Sequence, residues 1–350
     1  MELWAIVEPG KPLQKIHEED PIPTGTEVLV RVTHCGVCHS DLHLLKGEYD
    51  LGGGKKLNVL ERGVSLPRAP GHEVLGEVVA IGPDVTGVSI GDSRVIYPWM
   101  GCGECAVCKR GDENLCDKPH AIGVIHHGGF GSHVLLPHAR YLFDYGNVDP
   151  AVAATFACSG ITVYSAIAKL GDLPKDSNIL LIGAGGLGFA ALTMLHALGY
   201  PNVIMSDISE SKRDAALKAG VIGFVSSGPD MIDEVHKIAG GAPGAVMDLV
   251  NNGKTTQTGL DVLGRGGKLV LVGVGGGEIV LSTASMIFKP RSITGSATGS
   301  LNDLKAVIDL ANAGKLATVP VTCMHKDQAN EAIEKLERGD VTGRIILTSL

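Results

Sequence analysis

The feature that most restricts the fold of this chain is an apolar stretch from residue 177 to residue 206, which contains no Asp, Glu, Lys or Arg. A membrane-spanning helix keeps about 20 apolar residues in one run, whereas glycines and Pro201 interrupt this one repeatedly. A buried strand over 178–182, a glycine-rich turn over 183–188 and a helix to Leu198 fit the pattern better. The sequence therefore predicts an α/β protein and no membrane partner.

The turn in this stretch has the spacing of a dinucleotide-binding loop. It reads GAGGLG and stands between the predicted strand and the predicted helix, the context that gives G-x-G-x-x-G its meaning. Gly183 permits the turn, Gly185 lets the backbone reach a pyrophosphate, and Gly188 lets the helix pack closely. We therefore expect this loop, with Gly186 and Leu187, to bind a dinucleotide.

The next predicted strand, over 203–206, is followed directly by a carboxylate, Asp207. A carboxylate at this place hydrogen-bonds the adenosine ribose hydroxyls and repels a 2′-phosphate, which predicts NAD rather than NADP as the cofactor. Lys212 follows closely. It either softens that preference or belongs to a solvated helix face.

The alternation of strands and helices continues beyond this unit. We predict helices over 211–219, 231–239 and 301–313 and strands over 245–250 and 268–274. Such alternation is typical of a doubly wound parallel sheet, the Rossmann-type architecture.

Composition narrows the classes of function. Charged residues make up 19% of the chain and the formal net charge is −8, without a Lys/Arg block, which argues against nucleic acid or an anionic membrane as partner. The first residues lack the apolar core of a secretory signal, so we expect a cytoplasmic protein.

Four of the eight cysteines are closely spaced in a segment without a strand or helix pattern: Cys102, Cys105, Cys108 and Cys116, as C-x2-C-x2-C-x7-C. Four thiolates can close a tetrahedral shell around Zn²⁺ and leave no open position, so we expect a structural zinc. Disulfides are disfavoured in a cytoplasmic chain of this size. A ferredoxin-type iron–sulfur run ends in C-x3-C-P, which the last gap here does not match.

A further set of motifs carries a family resemblance. Residues 71–85 fit G-H-E-x2-G-x5-G-x2-V, and Gly343-Arg344-Ile345 lies near the end of the chain. With the four-cysteine segment, they resemble the zinc-containing alcohol dehydrogenases of the medium-chain dehydrogenase/reductase family over essentially the whole chain. The resemblance implies a discontinuous GroES-like β-barrel catalytic domain over 1–152 and 291–350, an NAD-binding Rossmann domain over 153–290, and an active site between them.

The resemblance also implies a catalytic zinc held by Cys38, His72 and Cys158. Two thiolates and an imidazole leave a fourth position open for water or a substrate oxygen. Glu73 is similar to a further ligand that the family uses in some states. Asp41 would accept a hydrogen bond from the other ring nitrogen of His72; alternatively, it is a helix N-terminal carboxylate.

Other residues are assigned to the proton and to the cofactor by the same resemblance. Ser40 and His43 would carry the alcohol proton to solvent, although His43 alone is also compatible with an ordinary exposed histidine. His39 and Arg344 would lie near the pyrophosphate, and Thr162 beside the nicotinamide. The alternatives are a surface charge for Arg344 and a helix hydroxyl for Thr162.

Together these expectations describe an NAD-dependent zinc alcohol dehydrogenase with two zinc ions per subunit, assembled as a homotetramer or a dimer. Trp99, Ala121 and Val124 match segments that wall the family's substrate cleft. They predict medium-sized primary or secondary alcohols, aromatic or cyclic ones included, and the corresponding aldehydes and ketones.

Two alternatives differ from this hypothesis in the zinc ligands. A polyol or sugar dehydrogenase of the same superfamily commonly replaces the second catalytic cysteine by glutamate, and Cys158 argues against it. A catalytically silent nucleotide-binding relative typically lacks ligands that are present here. The sequence suggests no role for the pair His126-His127.

Overall fold

The computed structural model describes residues 1–349. The first part of the chain consists mainly of strands, joined by turns and two short helices. The strands are β1 Glu2–Ala5, β2 Gln14–His17, β3 Val28–Gly36, β4 Glu48–Gly52, β5 Lys55–Asn58, β6 Glu73–Ile81, β7 Ser93–Ile96, β8 His133–Leu136 and β9 Leu142–Phe143. The helices are α1 His39–Lys46 and α2 Ala106–Lys109.

The middle of the chain alternates between helices and strands. The helices are α3 Pro150–Thr155, a π-helical turn Phe156–Gly160, α4 Ile161–Ala168, α5 Gly186–Ala197, α6 Arg213–Lys218, α7 Met231–Ala239, α8 Gly253–Val262 and α9 Thr283–Phe288. The strands are β10 Ile179–Ile182, β11 Val203–Asp207, β12 Gly223–Ser226, β13 Ala245–Asp248, β14 Gly267–Leu271 and β15 Arg291–Gly295. The last part adds α10 Leu301–Asn312, β16 Val321–His325, α11 Ala329–Arg338 and β17 Arg344–Thr348.

Strands from both ends of the chain share one sheet. Its order is β16-β17-β3-β6-β7-β9, and β8 also pairs with β3. Strand β17 runs antiparallel to β3, with Leu347 opposite Cys35. The end of the chain therefore completes the sheet that the first part begins, as a discontinuous domain requires.

The middle strands form a six-stranded sheet in the order β12-β11-β10-β13-β14-β15. All of its neighbouring strands are parallel. The four residues of β10 are fully buried, as expected for a central strand covered by helices on both faces. This is the predicted doubly wound architecture, and a ligand crevice is expected where the strand order reverses, at the carboxyl end of β10. Strand β15 belongs to this sheet, which therefore extends past residue 290.

One helical stretch, Pro150–Ala168, has the length and apolar composition of a membrane-spanning helix. Most of it is buried inside the protein, and the core helix of a globular protein passes the same test. This stretch carries Cys158 at its centre, in the π-helical turn.

Candidate active site

Three potential metal ligands from distant parts of the chain meet in the interior. One ligand atom each of Cys38, His72 and Cys158 lies within 4.8 Å of the others, and all three side chains are buried. Cys38 is the N-cap of α1, His72 directly precedes β6, and Cys158 lies in the π-helical turn. Such turns interrupt helices frequently at functional sites.

The hydrogen bonding of His72 supports a metal at this place. Both ring nitrogens are buried and have no hydrogen-bond partner among residues 1–349. Its Nδ1 lies 3.4 Å from Oδ1 of Asp41. A buried nitrogen without a partner is costly unless something binds it, and two thiolates with one imidazole are a donor set that Zn²⁺ accepts. The residues present therefore fit a zinc ion.

Asp41 has both of the roles that the sequence left open, because it caps a helix and also faces His72. Its Oδ2 accepts a hydrogen bond of 2.8 Å from the backbone N–H of Cys38, which caps α1. Its Oδ1 accepts one of 2.9 Å from Gly71 N and faces His72. One carboxylate thus holds the backbone on both sides of the cluster, at Cys38 and just before His72.

The two thiols of the cluster titrate in opposite directions. A hydrogen bond from Cys158 lowers the pKa of Cys38 well below its ordinary value, against the effect of burial. The same hydrogen bond, and then burial, raise the pKa of Cys158. The positive charge of Arg344 also favours the Cys38 thiolate. The site therefore stabilises a thiolate in the interior, as a metal ligand requires.

Glu73 is turned toward Arg344 rather than into the cluster. Both side chains are buried, and Arg344 Nη2 donates a hydrogen bond to Glu73 Oε1. Burial raises the pKa of Glu73 to about 7, against the lowering effect of Arg344. A Cβ atom at Gly36 would lie 1.9 Å from Glu73 Oε2, so glycine makes room for this carboxyl. Sequence reasoning missed Gly36, although its place beside Cys35 and Cys38 was a signal.

The residues expected to move a proton lie on α1. Ser40 Oγ lies 3.8 Å from the sulfur of Cys38. His43 is half-buried and stacks on Tyr49 with 4.8 Å between the ring centroids. Burial lowers the pKa of His43, and the charge of His39 adds to this. His39 is the exposed first residue of the helix. Sequence reasoning missed Tyr49.

The glycine-rich loop joins β10 to α5. A Cβ at Gly188 would lie 2.2 Å from the carbonyl oxygen of Gly183, so the helix packs as closely as expected. Gly185 has open space at the position of a Cβ, and Leu187 is half-buried in the first turn of the helix. A Cβ at Gly186 would lie 3.2 Å from Nη1 of Arg344, which places that guanidinium at the loop.

Asp207 ends β11 beside this loop. Its Oδ2 accepts hydrogen bonds from Ala184 N at 2.7 Å and from Lys212 Nζ at 3.2 Å. Its Oδ1 accepts one of 2.9 Å from Ser209 N. An open glycine turn with a fixed carboxylate at the end of the next strand fits a dinucleotide. Thr162 is buried on α4, in the helical stretch that carries Cys158.

The four-cysteine segment has the dimensions of a tetrahedral metal site. Its four sulfurs form one group of potential ligands. The Cys105–Cys108, Cys105–Cys116 and Cys102–Cys108 sulfur separations are 3.5, 3.9 and 4.0 Å. Four sulfurs about 2.3 Å from a central Zn²⁺ lie about 3.8 Å apart. The expected absence of helix was wrong, since α2 begins within the segment and Cys105 caps it.

Trp99 is the expected substrate-cleft residue that lies against the metal cluster. Its ring centroid is 5.0 Å from that of His72, and Nε1 donates a hydrogen bond of 3.2 Å to the carbonyl oxygen of Ala157. Ala121 is buried and Val124 half-buried. The indole therefore contacts His72 and is hydrogen-bonded to the residue before Cys158. Sequence reasoning missed this role.

Comparisons with known proteins agree with this geometry. Residues 24–145 match the family model described as alcohol dehydrogenase GroES-like domain, and residues 186–313 match that described as zinc-binding dehydrogenase. The chain is 34% identical to an NAD-dependent alcohol dehydrogenase of Sulfurisphaera tokodaii over 99% of both chains.

Solved structures extend the likeness to the fold. An alcohol dehydrogenase from Aeropyrum pernix superimposes with a TM-score of 0.90 at 29% identity, over 99% of this chain and 100% of that one. An acetophenone reductase from Geotrichum candidum, solved in complex with NAD, gives a TM-score of 0.86 at 26% identity, over 99% of this chain and 97% of that one.

Proposed function

The chain belongs to the family of zinc-binding alcohol dehydrogenases, and on that premise we propose how its residues divide a reaction that interconverts alcohols and carbonyl compounds with NAD. The observation that carries the proposal is the buried cluster of Cys38, His72 and Cys158 with its unpartnered imidazole nitrogen. Three protein ligands leave one position of a tetrahedral zinc open for the substrate oxygen. We assign a second, structural zinc to the four-cysteine segment.

The chemistry divides between the metal and the first helix. When bound, zinc supplies Lewis acidity that polarises the alcohol oxygen and acidifies its hydroxyl. Ser40 takes the alcohol proton close to Cys38, and His43 passes it to solvent. Burial lowers the pKa of His43, so its imidazole is neutral at pH 7 and able to accept that proton. Asp41 orients His72 toward the metal.

We assign the dinucleotide to the loop over 183–188. Asp207, beside the loop, takes the ribose hydroxyls and disfavours NADP. Arg344 lies close enough to the loop to approach the pyrophosphate. We assign His39 to the same pyrophosphate, Lys212 to the cofactor beside Asp207, and Thr162 to the nicotinamide. Because Arg344 is paired with Glu73 in this state, Glu73 would bind zinc only in a different state of the site.

The substrates we propose are medium-sized primary or secondary alcohols, including aromatic and cyclic ones. The aromatic face of Trp99 beside His72 supports apolar contact with the substrate. The structural neighbour named as an acetophenone reductase points to the same class. Polyols would need buried polar partners, and Cys158 stands where polyol dehydrogenases commonly have glutamate.

Assembly and location complete the proposal. Val280, Ile287 and Phe288 are large exposed apolar side chains close to the edge strand β15. Such a surface suits a second copy of the chain, and we favour a homotetramer, with a dimer as the alternative. None of the eight cysteines forms a disulfide, which supports a location in the cytoplasm.

We place the end of the cofactor domain after β15, because that strand completes the sheet of this domain.

Metal analysis and a substrate panel test the proposal on the purified protein. We expect two zinc ions per chain, reduction of NAD well above that of NADP, and catalytic efficiency that rises from ethanol to hexanol and stays high with benzyl alcohol and cyclohexanol. Each buried methylene contributes about 0.8 kcal/mol, a several-fold gain per carbon. Equal efficiency along the series or a best rate with sorbitol would contradict the substrate class. His72→Ala should abolish turnover while NAD still binds.

A further inference from the structure

A cavity on the first domain is lined by basic side chains and lies beside the four-cysteine segment, with Cys102 in its wall, but away from Cys38, His72 and Cys158. Its wall includes Arg68, His120, His126, His127, His133 and Arg140. The catalytic proposal uses none of these residues, and the pair His126-His127 is the motif for which the sequence suggested no role. A concave surface that gathers guanidinium and imidazole groups attracts anions.

Arg68 is the unusual member of this set. It is 7% exposed, and its only hydrogen-bonded side-chain partner among residues 1–349 is Ser65, whose Oγ accepts from Nη2 at 2.7 Å. Its Nε is buried without a partner, and no carboxylate of the described chain lies within 4.0 Å of the guanidinium. Arginine stays charged in proteins. A buried charge without a counter-ion is costly, so an anion is the missing partner.

The neighbouring histidines are held in place by backbone hydrogen bonds. Ala69 N donates to Nδ1 of His127 at 3.1 Å, so the proton of that ring lies on Nε2. Gly128 N donates to the carbonyl oxygen of Ala69 at 2.8 Å, which ties the histidine pair to the segment after Arg68. Burial, and next the charge of Arg68, lower the pKa of His127, as expected where positive groups face one another.

Among residues 1–349 no carboxylate forms an ion pair with Arg68, although the charge of Glu18 opposes the lowering of its pKa by burial. Arg140 is already paired, with Glu113 at 2.9 Å. Glu18 lies 3.4 Å from Nε2 of His127 and is partly exposed. Glu27, on the cavity wall, accepts hydrogen bonds from Thr24. His120 and His126 stack, with Nδ1 of His120 3.5 Å from Nε2 of His126. This contact takes up one ring N–H, so the neutral pair offers one further donor.

We propose that this cavity binds a phosphate group, with Arg68 as the charged anchor and the histidines as hydrogen-bond donors. A phosphate presents three or four acceptor oxygens and a charge near −2, which suits a guanidinium surrounded by imidazoles. The group comes either from free phosphate or from a small phosphomonoester, because both offer the same oxygens. The inference is independent of the catalytic assignments.

Calorimetric titration of the zinc-loaded protein tests whether the cavity binds phosphate. Saturating NAD is present throughout so that the glycine-rich loop is occupied, and the titrants are inorganic phosphate and glycerol phosphate. We expect binding of at least one of them and at least about tenfold weaker binding in Arg68→Met, since a charge-assisted contact is lost. Arg338→Met is the matched control, because Arg338 is exposed, paired with Asp340 and on the last helix. It should bind as the unaltered protein does.

Two more measurements keep the test decisive if Arg68→Met folds poorly. His120→Gln, at an exposed position of the cavity wall, should weaken phosphate binding several-fold while leaving the fold intact. In phosphate-free buffer, Arg68→Met should melt no earlier than the unaltered protein, because it removes a buried charge without a partner. No phosphate binding by the unaltered protein would overturn the proposal, and so would equal binding by the Arg68 and Arg338 variants. A change of oligomeric mass in Arg68→Met would instead identify the missing anion as a carboxylate of a second copy.

Discussion

At the scale of single residues, Asp41 shows how one side chain can serve the fold and the site together. One carboxylate oxygen caps α1 through the N–H of Cys38, and the other binds Gly71 N and faces His72. Capping the helix and orienting His72 require different properties of the Asp41 side chain. A cap needs an oxygen acceptor, which asparagine also offers. Polarising an imidazole needs the negative charge.

Asp41→Asn should therefore separate the two roles. We expect the free energy of unfolding to fall by about 1–3 kcal/mol, because the single amide oxygen of asparagine can accept from Cys38 N or from Gly71 N but not from both. Catalytic zinc affinity should fall about 10–100-fold, because the charge facing His72 is lost. Zinc competition with a chelator and thermal melting measure the two effects. Asp149→Asn is the control, since Asp149 is the N-cap of α3, accepts from the N–H groups of Ala151 and Val152, and is not part of a metal cluster. Equal zinc retention by the two variants would contradict the orienting role.

His43 gives a pH-dependent prediction. Burial lowers the pKa of His43 below the ordinary 6.5. The imidazole therefore stays neutral, and able to accept a proton, until the pH falls below this lowered pKa. His43→Gln should slow alcohol oxidation most just below neutral pH, where His43 is still neutral and hydroxide is scarce. Imidazole buffers should partly restore the rate. Steady-state rates across pH measure this, and an unchanged profile would leave His43 without a part in proton transfer.

At the scale of elements, the four-cysteine segment depends on its metal for its shape. Helix α2 has four residues and is capped by Cys105, whose sulfur accepts from Cys108 N. Cys105→Ser should leave one zinc per chain and an earlier thermal transition, because metal binding free energy is lost from folding. Cys323→Ser is the matched control, since Cys323 is exposed and outside both metal clusters. Full thermal stability of Cys105→Ser with only one zinc bound per chain would contradict the structural assignment.

The elements also show what local sequence can predict. Strand β10 and the turn after it were predictable because apolar runs and glycine spacing are local signals. Helix α2 was not, since its cap is a cysteine sulfur rather than a standard capping residue. The family resemblance assigned residues 291–295 to the other domain, and strand β15, whose residues are largely exposed, carries no buried-strand pattern that would have corrected this boundary. The pairing of Glu73 with Arg344 joins residues far apart in the chain, which no local pattern reveals.

At the scale of the whole molecule, the hairpin β4–β5 connects the two domains. It lies within a glycine-rich segment of the first domain, and its turn reaches residues 276–278, which follow β14 of the cofactor sheet. A Cβ at Gly52 would lie 2.7 Å from the carbonyl oxygen of Gly277, and one at Gly276 would lie 2.7 Å from the Cβ of Asp50. Backbones this close leave no room for side chains, so the hairpin fixes the position of one domain against the other.

Gly52→Ala and Gly54→Ala together isolate the effect of this contact. Both glycines have positive φ, +81° and +74°, so either alanine should cost about 1 kcal/mol of stability through backbone strain. Only at Gly52 does the new Cβ meet the other domain, because Gly54 has open space around it. We therefore expect a larger melting loss in Gly52→Ala than in Gly54→Ala, because its Cβ also meets the carbonyl group of Gly277. A several-fold rise in KM for NAD should occur in Gly52→Ala alone, since a displaced hairpin alters the closure of the domains over the cofactor. Steady-state kinetics of the two variants, with NAD as the varied substrate, measure the change in KM. Equal KM values would mean that the hairpin packs on the cofactor domain without controlling the cleft.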